Sequence, residues 1–191
     1  QLDRALAQLQ DNHDKITSHV RGITEQVSGR AELLGKIPSV KPTDGWLSSS
    51  FGRRKSPVTG RMVAHNGIDI AANIGSPILA AADGQVKKAG RNGNYGLTVD
   101  LDHGNGVITR YAHAKKLFVR RGDVVRRGQK LAEVGMTGRT TGSHLHYEVH
   151  IDGRPVNPFR FLSLTPIQPH ESQQKRLARN ASLASRGGLD P

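Results

Sequence analysis

From Trp46 to Leu164 the chain never runs far without a glycine turn. Asp83-Gly84, Asn92-Gly93, His103-Gly104-Asn105-Gly106 and Asp152-Gly153 supply residues that tolerate the tight backbone of a reversal. Between them lie short apolar segments: Ile68–Ile70, Pro77–Ala80, Gly84–Lys88, Leu97–Leu101, Val107–Ala112, Lys130–Val134 and His144–Ile151. No long helical period appears among them. Short runs closed by turns bury themselves by pairing edge to edge. The expected fold is therefore all-β, a compact stack of antiparallel sheets. Aromatic residues make up 4% of the chain, so aliphatic side chains must fill the core.

The beginning of the chain follows another rule. Leu2, Leu6, Leu9, His13, Ile16, Val20, Ile23 and Val27 step alternately by four and three, the seam of a coiled coil, with an amphipathic helix packed on the main domain as the alternative. A lone helix would leave that stripe wet, so residues 1–34 are expected to pair, with a second copy or with chain upstream. Gly22 and Gly29 weaken the helix toward its end. Residues 35–44 carry Pro38 and Pro42 and read as a linker. Residues 45–164 form the main domain. Residues 165–191 are polar, basic and poor in large apolar side chains, and are expected to be a disordered tail.

There is no cysteine, which excludes thiolate ligands, disulfides and a cysteine nucleophile. No apolar run is long enough to cross a membrane as a helix. The first residue is Gln, so the sequence reads as a processed or cut piece, with a signal or anchor upstream left open. The net charge is +12; residues 45–164 hold 18 basic and 8 acidic side chains, a net of +10. Such a charge serves solubility or attraction to a polyanion, be it cell-wall polymer, nucleic acid or anionic lipid. Aromatics are not interleaved with the basic residues, so a stacking platform for single-stranded nucleic acid is not expected.

The chemistry concentrates in histidines. In a strand, alternate side chains share a face, so His144, His146, Glu148 and His150 oppose Leu145, Tyr147, Val149 and Ile151. The second set suits a core; the first faces solvent or a cleft. His65-Asn66-Gly67-Ile68-Asp69 reads as a turn leading into a strand, with Asp69 pointing away from Ile68 and Ile70. Two histidines on one face, with a distant His and Asp, make a plausible zinc ligand set with an open position. His113 stands at the end of the Val107–Ala112 strand. Glu148 is either an outer partner of an imidazole or a surface carboxylate.

These stretches resemble the LytM-type, or lysostaphin-type, zinc metallopeptidases of bacterial cell walls. The resemblance spans roughly Trp46 to Leu162. It rests on Ser50-Phe51-Gly52-Arg53, His65-Asn66-Gly67-Ile68-Asp69-Ile70, Ala80-Ala81-Ala82-Asp83-Gly84 and Asp102-His103-Gly104-Asn105-Gly106. Tyr111-Ala112-His113, Gly135-Met136-Thr137-Gly138, Gly142-Ser143-His144-Leu145-His146-Tyr147-Glu148 and Asn157-Pro158 complete it. It implies one Zn2+ held by His65, Asp69 and His146, with His113 and His144 as the catalytic pair. It further implies an endopeptidase that cuts peptide cross-links of peptidoglycan, with D-Ala–diaminopimelate preferred as the bond because the upstream helix is similar to that of Gram-negative envelope members. The implied location is the cell envelope, periplasmic or secreted. Some relatives have lost these residues and only activate other hydrolases; a non-catalytic regulator docking through its coiled coil is the alternative.

Two other patterns point elsewhere and fall away. Gly122-Asp123-Val124 with Gly128-Gln129 also occurs in lipoyl and biotinyl carriers, but no local motif presents a modifiable lysine. Gly90–Gly96 is glycine-rich without opening a helix, so it reads as a hairpin turn and not a phosphate loop.

Overall fold

A computed structural model describes residues 16–26, 34–55 and 60–162, with positions 10, 29, 168 and 169 besides. It divides into two units, residues 1–36 and 37–191. In the first, residues 16–26 are helical, and Ile16, Val20 and Ile23 are exposed on it. The other heptad positions, Leu2, Leu6, Leu9, His13 and Val27, lie outside the described residues, as does the expected tail apart from positions 168 and 169.

The second unit is built of strands. In chain order they are β1 (Trp46–Ser49), β2 (Gly52–Lys55), β3 (Met62–His65), β4 (Ile68–Ala71), β5 (Pro77–Leu79) and β6 (Gly84–Arg91). There follow β7 (Leu97–Asp102), β8 (Val107–Leu117), β9 (Val124–Val125), β10 (Lys130–Val134), β11 (His144–Ile151), β12 (Arg154–Val156) and β13 (Gln168–Pro169). The main sheet runs β13-β1-β4-β11-β8-β7-β6-β9, with β12 on β11 and β10 joining β8 to β5. Its pairings are antiparallel except β1 with β13. β2 and β3 make a separate hairpin. The architecture is the antiparallel all-β one that the turns dictate.

Alternation explains the centre. Leu145, Tyr147 and Val149 of β11 are fully buried, as are Ile68 and Ile70 of β4 and Tyr111 of β8. Ile78, Val86, Val99, Leu101 and Leu131 close the same core. Burying each such side chain contributes about 1.5–3 kcal/mol, which is why an aliphatic set suffices with few aromatics. A buried polar chain crosses this core: the Ala81 N–H donates to the Tyr111 hydroxyl (2.8 Å), which lies 3.0 Å from Thr109 Oγ1. Thr109 Oγ1 in turn sits 2.8 Å from His103 Nε2, while His103 Nδ1 donates to the Asp83 carbonyl.

Residues 37–44 lie against β5: the Leu79 N–H donates to the Pro42 carbonyl (2.7 Å), the Val40 N–H to that of Ala81 (3.1 Å), and Thr43 is buried.

β8 is longer than the sequence indicates, and its extension has a physical cause. Through Ala112 it pairs with β11; from Ala114 onward its partner is β10. His113 sits at the changeover with φ of 63°. A left-handed residue bends the strand there, so Ala112 and Ala114 stay buried while β8 passes from one neighbour to the next.

Candidate metal centre

The site is a consequence of register. β4 and β11 are antiparallel with His146 directly opposite Asp69 and His144 opposite Ala71. His65 ends β3, and Asn66-Gly67 brings the chain straight back into β4. Gly67 has to be glycine: a Cβ there would collide with the Tyr147 carbonyl and the Glu148 side chain of β11. That close approach lets His65 reach across Asp69 to His146.

Three donor atoms converge. His146 Nδ1 lies 2.8 Å from Asp69 Oδ1, and His65 Nε2 lies 3.1 Å from each of them. All three residues are buried, and they form a group able to hold a metal ion. Donors of a tetrahedral ion with bonds of about 2.0 Å stand about 3.3 Å apart, so the trio fits such an ion with little adjustment.

Outer partners fix which ring atoms are available. His65 Nδ1 donates to the Ser50 carbonyl (2.7 Å), which leaves Nε2 as a lone pair. His146 Nε2 donates to Glu148 Oε1 (2.9 Å), which turns Nδ1 toward Asp69. Arg54 Nη2 binds the other oxygen of Asp69, Oδ2, at 3.2 Å, so Oδ1 is the one presented to the imidazoles. Such outer contacts set tautomer and orientation in metal sites.

Glu148 resolves the choice left open above: it is fully buried, not a surface carboxylate. It lies directly opposite Arg110 of β8, which lies opposite Asp100 of β7. Arg110 grips Asp100 with two bonds of 2.8 Å and reaches Glu148 Oε2 at 3.3 Å. Tyr95 O–H donates to Glu148 Oε1 (2.8 Å), and His150 Nε2 lies 2.6 Å from Oε2. Burial works to raise the Glu148 carboxyl, but hydrogen bonds from His146, His150 and Tyr95 hold it well below the usual carboxylate range. Asp69 behaves alike: burial is outweighed by His146 and His65, and its carboxyl is depressed. Burial alone would lower the His146 imidazole, yet Asp69 and Glu148 raise it to about 9. The carboxylates that hold the His146 imidazole up are the charges a divalent ion at this site would meet.

His113 and His144 edge the same site, their ring centroids 4.8 Å apart. His113 Nδ1 donates to the Thr137 carbonyl (2.8 Å) and His144 Nδ1 to that of Gly142 (2.9 Å). Both rings therefore keep Nε2 as an acceptor. His144 Nε2 is 3.7 Å from Asp69 Oδ1. Burial pushes the His113 imidazole down to about 4, despite the bond to Thr137. Its left-handed backbone stores about 1–3 kcal/mol of strain, which the flanking strands sustain.

All five residues singled out in the sequence, His65, Asp69, His113, His144 and His146, thus line one cavity of about 280 Å³. The sequence did not point to Arg54, Asn94, Tyr95 or Arg139, which also line it. Arg54 lies one residue past the Arg53 of the quoted motif, and Tyr95 sits in the short 3-10 turn Gly93–Tyr95, where only a tertiary contact brings it to Glu148.

A trio of metal donors at an open cleft, edged by two more imidazoles, is the layout of a metal-dependent hydrolase. The chain belongs to peptidase family M23, whose profile matches residues 63–158. It is 45% identical over 173 residues to peptidoglycan DD-endopeptidase ShyA of Vibrio cholerae, covering 88% of this chain and 40% of that protein. A crystal structure of a zinc-containing peptidase from Vibrio cholerae superposes with a TM-score of 0.57 and 42% identity, over 64% of this chain and 38% of that one. The catalytic domain of lysostaphin from Staphylococcus simulans gives 0.55 and 31%, over 61% of this chain and 91% of that one. The fold is thus the LytM and lysostaphin fold. The chain spans less than half the length of the curated relatives it matches.

Proposed function

We propose that this protein is a zinc endopeptidase of the cell envelope that hydrolyses peptide cross-links of peptidoglycan, with D-Ala–diaminopimelate as the scissile pair. The observation that carries this reading is the convergence of His65 Nε2, Asp69 Oδ1 and His146 Nδ1 within 3.1 Å of one another beside His113 and His144. The name of the 45%-identical relative supports the substrate class. His65, Asp69 and His146 would hold the metal. A bound zinc would polarise the scissile carbonyl and bring the pKa of water near 7.

The remaining work falls to the chain. His113 and His144 are the catalytic pair, and each presents Nε2 to the cleft as a base because its Nδ1–H is committed to a carbonyl. His113, kept neutral by burial, is ready to take a proton from the attacking water. Donation to an oxyanion or to the leaving amine follows once Nε2 of either ring has gained that proton. Arg54 and Glu148 hold Asp69 and His146 in place.

A periplasmic location follows from a wall substrate. The exposed Ile16, Val20 and Ile23 stripe serves pairing of the helix with a second copy or another protein. Metal analysis with digestion of purified peptidoglycan is the test. Bound zinc with new chain ends released, and loss of both in His146→Ala, is the expected result. No cleavage by folded, zinc-loaded protein would instead make it a regulator.

A further inference from the structure

Among the described residues, the cleft carries one cation that has no partner. Two arginines line it, Arg54 and Arg139. Arg54 is committed to Asp69. Arg139 is exposed, and among the described residues its side chain has no ion pair or hydrogen-bond partner. Its backbone, by contrast, is held firmly. The Arg139 N–H donates to the Asn94 carbonyl (2.8 Å). Gly138 presses on Asn94 and Gly96 so tightly that a Cβ would collide. Thr137 is tied on both sides, accepting from the Leu97 N–H (2.9 Å) and donating to the Ala114 carbonyl (2.7 Å). The same Thr137 orients His113 through its own carbonyl. The base of Arg139 is therefore fixed to the scaffold that fixes His113, while its guanidinium stays free.

We infer that Arg139 is the recognition residue for a substrate carboxylate on the carbon next to the scissile nitrogen. This rests on the cross-link reading above. In a D-Ala–diaminopimelate cross-link the acceptor carbon that bears the amide nitrogen also bears a carboxylate; a glycine bridge has no such group. That carboxylate presents a problem to a metal hydrolase. It sits close enough to the reacting bond to compete for the metal itself. A guanidinium takes a carboxylate with two parallel hydrogen bonds, so Arg139 holds it aside and fixes the register of the amide over the catalytic pair. The other charged side chains of the cleft are already spoken for: Asp69 by Arg54 and the histidines, Glu148 by Arg110, Tyr95 and His146.

The experiment uses the full zinc-loaded chain and purified cross-linked muropeptide dimers of two kinds, with the acceptor carboxylate free or amidated. Wild type is expected to favour the free acid by about tenfold in kcat/KM, mostly through KM, the scale of one charge-assisted contact at an exposed site. In Arg139→Gln the ratio of free to amidated falls toward one, with zinc content unchanged. In Arg139→Lys, which keeps the charge but not the fork, part of the ratio survives. Equal rates on both dimers by wild type, or a wild-type ratio in Arg139→Gln, would overturn the inference while leaving the endopeptidase reading intact. Cleavage of neither dimer by wild type would overturn that reading, and this one with it.

Discussion

At the scale of single residues, His144 and His146 stand two positions apart on one strand and do different things because their outer partners differ. His146 gives Nε2–H to Glu148 and turns Nδ1 into the donor trio; His144 gives Nδ1–H to a loop carbonyl and turns Nε2 to the cleft. Alanine at His113 or His144 should therefore lower kcat by about 10²–10⁴ with zinc retained, as measured by metal analysis beside the assay. Glu148→Gln keeps the shape but removes the charge, and should weaken zinc about 10–100-fold in a chelator competition. A pH profile tests His113. His113 is lowered by burial to about 4, so it stays neutral, and able to accept a proton, down to that region. A loss of activity at mildly acidic pH that persisted unchanged in a His113→Gln variant with residual activity would agree, since it must come from another group.

At the scale of elements, the cleft depends on two strands approaching more closely than a side chain allows. Gly67→Ala places a methyl against the β11 backbone, and overpacking of this kind costs about 1–3 kcal/mol. Urea denaturation should show that loss, and zinc affinity should fall with it because His65 is displaced from His146. The buried chain from Asp83 to Ala81 gives a second expectation. Burial lowers the His103 imidazole below its ordinary value of 6.5, against the pull of the Asp83 carbonyl. The folded state then binds fewer protons than the unfolded one. Stability from this group is full above 6.5 and is lost as pH falls through the lowered folded value. The urea midpoint should drop between about pH 7.5 and about pH 5, and His103→Gln should flatten that slope.

At the scale of the whole molecule, the proposed substrate makes charge the property to test. Residues 45–164 carry 18 basic and 8 acidic side chains, a net of +10, while residues 1–34 carry 4 and 5. On the proposed wall substrate, attraction to its carboxylates would be a property of the strand-built unit. It is screened over about 8–10 Å at ordinary ionic strength. Binding of the full chain to isolated wall should weaken steeply with added salt, and salt-insensitive binding would count against this account.

The sequence alone was enough for the antiparallel architecture, and the five residues it singled out line one cavity. Turn pairs and alternation are local properties: Asp152-Gly153 or Leu145-His146-Tyr147 mean the same thing in any surroundings. Even so, β1, β2 and β3 were not legible, because four residues each, without clear apolar–polar alternation, are too short to mark a strand. Register was beyond reach. Nothing local in β4 and β11 says that His146 falls opposite Asp69, or that Arg110 falls between Asp100 and Glu148. Tautomers, the burial of Glu148, the bend at His113 and the free guanidinium of Arg139 all follow from which strands became neighbours. The residue types were written in the chain; which atom of each faces the cleft was decided by long-range packing, because that is where hydrogen-bond partners distant in sequence first meet.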